Sequence, residues 1–150
     1  MKNLIVCIFI LIEVGCSSNN LGPNGGSIVV HRFGEGAVLT NAQLHENIDR
    51  ANHGDGEAAY RVWAHYAIGS PKPGKKEIEN AQKYFDLAVT LEYPPALYTK
   101  AVILWNSGKA EPVEVLKYLK RAIELGRPDT DNLLPEVEAK VKVNPPAKKT

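Results

Sequence analysis

Histidine, serine and cysteine side chains are the residues of this chain that could do chemistry, and their spacing decides what kind. The stretch HENID at 45–49 begins like H-E-x-x-H, which sets two zinc-binding histidines on one helical face with a glutamate as general base. Asp49 stands where the second histidine belongs, so the pattern reads as a solvated helix face and not as a metal site. His53, within NHGDG at 52–56, reads as a turn residue, and His65, between Ala64 and Tyr66, as exposed or inter-helical. A nucleophile needs a base and a group that orients the base. Ser70 and Ser107 follow expected helix ends with no such company, and GPNGG at 22–26 neither follows a strand nor opens a helix, so it cradles no phosphate. The chain reads as a non-enzyme, with no catalytic residues, no metal and no cofactor.

Both cysteines lie near the N-terminus, at Cys7 and Cys16. Lys2 supplies a positive charge, and 4–12 (LIVCIFILI) is an unbroken apolar run of nine residues. A membrane-spanning helix needs about 20. A short run behind a lysine and ahead of small residues fits a cleaved secretory signal. A thiol just after the cleavage point can be acylated. The stretch resembles a bacterial lipoprotein signal, with Val14, Gly15 and Cys16 matching the last three positions of the lipobox; Glu13 departs from the aliphatic residue usual there. The resemblance implies a signal peptide over 1–15 and lipidation, such as palmitate, at Cys16. Ser17 after the cysteine, by resemblance to Gram-negative lipoproteins, implies the outer membrane, facing the periplasm. Cys7 leaves with the signal, so the mature domain has no free thiol for a disulfide, a metal site or catalysis.

The remaining composition is that of an ordinary globular chain: 150 residues, 18 basic and 17 acidic, net charge +1. That balance gives no electrostatic footprint for nucleic acid. Residues 16–27 are rich in Ser, Asn, Gly and Pro and read as a flexible tether. SIVVH at 27–31 reads as a short strand or extended lead-in. Thr40 followed by Gln43 is a capping-box pattern for a helix whose Leu44, Ile48 and Ala51 share one face.

From there the chain repeats. Ala81, Tyr84, Phe85, Ala88, Val89 and Leu91 align with Val115, Tyr118, Leu119, Ala122, Ile123 and Leu125 at a constant offset of 34. Their three- and four-residue spacing is that of one helical face. The segments before them, from Ala58 and from Leu97, align at an offset of 39. The longer turn SPKPGKKE at 70–77 absorbs the five-residue difference. Pro94 and Pro95 are expected to precede a helix starting at Ala96, and Pro112 to sit in the first turn of the next. Leu133, Leu134 and Val137 would belong to a last helix covering the open end.

Helix pairs at this spacing form helical repeat arrays. The stretch over 54–127 resembles the tetratricopeptide superfamily, and more closely the Sel-one-like repeat. Ala58, Val62, Trp63, Tyr66 and Gly69 follow the spacing of that family's first helix. Ala81, Tyr84, Phe85 and Ala88 follow its second, and Leu125 and Gly126 its Leu-Gly end. Trp63 and Val102 replace the first-helix glycine. The expected fold is all-α: a short α-solenoid of antiparallel helix pairs, about six helices over 28–143, with repeats near 57–93 and 95–127 and a disordered tail at 144–150.

What the resemblance implies is a protein-binding module at the cell envelope, either an assembly adaptor or an immunity protein against a secreted toxin, with a protein or peptide partner. The alternative is an envelope enzyme or accessory factor acting on cell-wall material. First helices line the concave face of such arrays, which makes Tyr60, Arg61, Tyr98 and Lys100 the candidate partner-binding residues, since Tyr and Arg anchor interfaces. The competing reading packs both tyrosines between helices.

Overall fold

The computed structural model describes residues 38–69, 72–129 and 132–143. The expected signal over 1–15, Cys16, the expected tether over 16–27, the run at 27–31 and the tail at 144–150 lie outside them. The described residues form six helices and no strand. They belong to two compact units that divide between Tyr93 and Pro94, at the junction between the sequence repeats.

The first unit holds α1 (Asn41–Asn52), α2 (Gly56–Ile68) and α3 (Lys75–Thr90), with α1 packed on α2 and α2 on α3. The capping box forms as its residues dictate: the Gln43 amide donates to Thr40 Oγ1 at 3.3 Å and the Thr40 amide to Gln43 Oε1 at 2.9 Å. Asp55 caps α2 by accepting from the Ala58 amide at 2.9 Å. Helix α2 buries Ala58, Ala59, Tyr60, Val62, Trp63, Ala64 and Ala67, and α3 answers with Tyr84, Phe85 and Ala88. Trp63 meets Phe85 with ring centroids 5.1 Å apart, and Tyr66 stacks on Tyr84 at 6.5 Å. Helix α1 buries two residues, Ala51 and the polar Asn47. Asn47 Nδ2 donates to the Gln43 carbonyl at 2.8 Å, while its buried Oδ1 has no hydrogen-bond partner among the described residues.

The second unit holds α4 (Pro94–Ser107), α5 (Pro112–Glu124) and α6 (Leu133–Val143), with α4 packed on α5 and α5 on α6. Helix α4 begins at Pro94, two residues before the expected Ala96. Its prolines occupy the first turn, where a missing N–H leaves no intrahelical bond unmade. Leu119, Val115 and Ala122 are fully buried on α5, and Val137 on α6. Leu133 is also buried, whereas Leu134 is half-buried. Asp129 starts α6 by accepting the Leu133 amide at 3.0 Å and the Leu134 amide at 2.9 Å, one on each carboxylate oxygen.

Three helices end alike. After α1, α3 and α5 the chain turns through a left-handed residue, Gly54 (φ +94°), Glu92 (φ +52°) and Gly126 (φ +92°). Each end carries the paired backbone bonds of a Schellman motif: Asp55 to Arg50, Tyr93 to Ala88 and Arg127 to Ala122, with Gly54 to Ala51, Glu92 to Val89 and Gly126 to Ile123 inside them. Measured from these turns, Asn47 of α1 occupies the position of Phe85 in α3 and Leu119 in α5, seven residues before the turn in each case.

Candidate partner-binding surface

The turns also align the first helices. Tyr60 lies six residues beyond Gly54, and Tyr98 six beyond Glu92, so the two tyrosines are structurally equivalent. The offset is 38 at this end of the first helices and becomes 39 by their C-termini, because α4 has 14 residues and α2 has 13.

Each tyrosine is 4% exposed. The expectation that they face outward is therefore corrected: both pack within their own unit. Each is covered by the residue that follows the left-handed turn ending the next helix, α3 or α5. Tyr93, after Glu92, meets Tyr60 at 5.5 Å between ring centroids. Arg127, after Gly126, lays its guanidinium over the Tyr98 ring at 4.5 Å. Tyr60 also meets Trp63 at 4.7 Å, and the Tyr98 hydroxyl donates to Asp129 Oδ1 at 3.2 Å. Burial is the outcome that helical spacing of aromatics ordinarily signals.

The other two sequence candidates remain nearer the surface. Arg61 is exposed and pairs with Glu57 at 2.7 Å, one turn earlier on α2. Lys100 is half-buried on α4. Arg61 is joined by a residue that helical spacing did not single out. Tyr93 is half-buried over Tyr60, and burial, reinforced by Glu57 and opposed by Arg61, pushes its hydroxyl above the usual tyrosine range. Beside them Arg50 and Asp55 form a second ion pair at 2.6 Å. The Ala58 amide, and then Arg50, hold the Asp55 carboxyl below the usual aspartate range. The first unit thus presents an aromatic ring flanked by two ion pairs. In the second unit the equivalent of Tyr93 is Arg127, beside Asp129 and Tyr98. The available sequence signal for Tyr93 and Arg127 was their place immediately after the Leu-Glu and Leu-Gly helix ends.

The remaining chemistry-bearing residues serve local structure. His45 Nδ1 meets the Asn41 carbonyl at 2.7 Å and His53 Nδ1 the Asp49 carbonyl at 2.8 Å, each closing one turn of its own helix end. Ser107 Oγ donates to the Leu104 carbonyl at 2.7 Å and accepts from the Lys109 amide at 3.2 Å. Ser70 lies outside the described residues. Among the described residues no group of three or more His, Cys, Asp or Glu is placed to hold a metal ion, and no helix is long and apolar enough to cross a membrane. No family model, curated protein or solved structure matches the chain.

Proposed function

We propose that the protein is a lipid-anchored module that binds a protein or peptide partner at the bacterial cell envelope, with its two units acting as repeats of the Sel-one-like kind. The observation that carries this reading is the equivalent placement of Tyr60 and Tyr98. Each forms the floor beneath a residue at the surface, Tyr93 in one unit and Arg127 in the other. A ring or guanidinium held on a rigid aromatic floor loses little side-chain entropy on contact, which suits an interface anchor. Arg61 and Glu57 flank Tyr93 with directional charge, and Lys100, one residue beyond the equivalent of Arg61, is the cation of α4. Cys16 supplies the membrane attachment through lipid.

Capture from membranes with the full chain, compared with Tyr93→Ala, Arg61→Ala, Lys100→Ala and Arg127→Ala, tests the surface. Loss of one and the same partner from these variants, at an unchanged melting midpoint, supports it; retention in all four rejects it. Labelling with a fatty-acid analogue tests the anchor. Cys16→Ser should carry no label, and equal label in both proteins rejects lipidation at that residue.

A further inference from the structure

One tie between the lead-in to α1 and the body of the first unit is a histidine. Leu39, just ahead of the capping box, donates its backbone N–H to His65 Nδ1 on α2 at 3.1 Å, across 26 residues of sequence. A backbone amide can only donate, so Nδ1 must accept. The ring is therefore neutral, with its proton on Nε2. Around this bond Val38 is 62% exposed, Thr40 is exposed and Leu39 is half-buried.

We propose that His65 is a pH-operated latch on the lead-in: neutral, it holds the Leu39 amide, and protonated, it releases it. Protonation turns Nδ1 into a donor, so two N–H groups face each other and the bond becomes repulsive. The surroundings favour the neutral ring. Burial lowers the His65 pKa from its ordinary 6.5, and no neighbouring charge contributes to that shift. On α2 the titratable neighbours are Tyr66, edge-on at 5.3 Å, and Arg61, one turn away and paired with Glu57. On α1, His45, Glu46, Asp49 and Arg50 are all exposed; on α3, Glu77 and Tyr84 act on Tyr66.

The sign follows from linkage. The closed latch binds fewer protons than the open one, so acid favours opening. Above about pH 6.5 both forms are neutral and the latch is closed. As pH falls from 6.5 toward the depressed value of the closed state, opening grows, by at most about tenfold per pH unit, and then levels off.

Amide exchange at Leu39 in the full chain reads the latch, after correction for the intrinsic pH dependence of exchange. The Leu44 amide, bonded to the Thr40 carbonyl at 2.8 Å within α1, serves as reference. Leu39 protection should fall between about pH 7.5 and 5 while Leu44 stays protected. His65→Asn keeps an acceptor near the Nδ1 position that does not titrate, and its Leu39 protection should be flat. Unchanged protection in the natural protein, or an equal fall in His65→Asn, overturns the proposal. Nitrogen chemical shifts of His65 in the natural protein give a reading independent of the variant's folding. The Nε2–H tautomer above pH 7 is required, and the Nδ1–H tautomer overturns the latch.

Discussion

The two units solve one packing problem with different chemistry. In each, a tyrosine six residues beyond a left-handed turn is covered by the residue following the left-handed turn that ends the next helix. The first unit uses Tyr93 on Tyr60, inside an aromatic group that continues through Trp63 to Phe85. The second uses Arg127 on Tyr98, with the tyrosine hydroxyl donating to the aspartate that starts α6. Backbone geometry is the shared part; it fixes where the covering residue stands, and side-chain type is then free to differ. The cover on Tyr60 rests on ring area removed from water, that on Tyr98 more on directional contacts that also fasten the last helix.

The largest expected effect probes the shared part. Ala88 and Ala122 are fully buried at equivalent positions. Ala88→Arg and Ala122→Arg should each destabilise by roughly 4 kcal/mol or more, since each forces a charge between packed helices. Circular-dichroism melts decide it, and a midpoint unchanged in either variant breaks the equivalence. Next come Phe85→Ala, expected to cost about 3–5 kcal/mol, and Leu119→Ala, about 2–5 kcal/mol. Urea titration should place Phe85→Ala at the greater loss, because its ring also meets Trp63; the reverse order would mean the aromatic group adds nothing.

A smaller effect separates the caps. Asp129→Ala removes the acceptor for two amides and for Tyr98, at a cost of about 1–2 kcal/mol. Hydrogen exchange should show it as early opening of α6. Asp55→Ala should cost about 1 kcal/mol in the first unit. Because its folded carboxyl titrates below the ordinary 3.8, the Asp55 contribution is present above that value and is lost as pH falls through the depressed one. Acid titration of wild type against Asp55→Ala should show the difference between them closing below about pH 4. The smallest effect lies in the turns. Gly126→Ala should destabilise by about 1 kcal/mol, while Glu92→Gly should change stability by less and in the opposite direction, because both sites have positive φ. Thermal melts of the pair measure the asymmetry.

Much of this helical pattern could be read in advance where the cause is local. The Thr40–Gln43 box and Pro112 in the first turn of α5 are each set by residues within a few positions of one another, and the register of Ala88 with Ala122 by the three- and four-residue spacing within each helix. The outward placement of Tyr60 and Tyr98 failed for a non-local reason. What covers them comes from the end of the following helix, and one of those turns carries Glu92, not the glycine that marks a left-handed residue in sequence. The start of α4 failed because paired prolines read as a boundary although a first turn accepts them. His65 was left open between exposed and inter-helical, and its amide partner 26 residues away leaves no trace in local spacing.

The buried amide of Asn47 has a consequence for assembly. Helices α1, α3 and α5 end in the same turn, so a folding chain contains three segments able to compete for one docking position, the hazard of repeat proteins. Where α3 and α5 carry Tyr84 and Ala88, or Tyr118 and Ala122, α1 carries Glu46 and Arg50. Placed where Phe85 meets Trp63, Asn47 would set a polar group against aromatic surface, at a cost of about 1–3 kcal/mol if left unpaired. The residue that weakens α1 in its own place thus helps, with Glu46 and Arg50, to exclude it from the others, and helix exchange is discouraged.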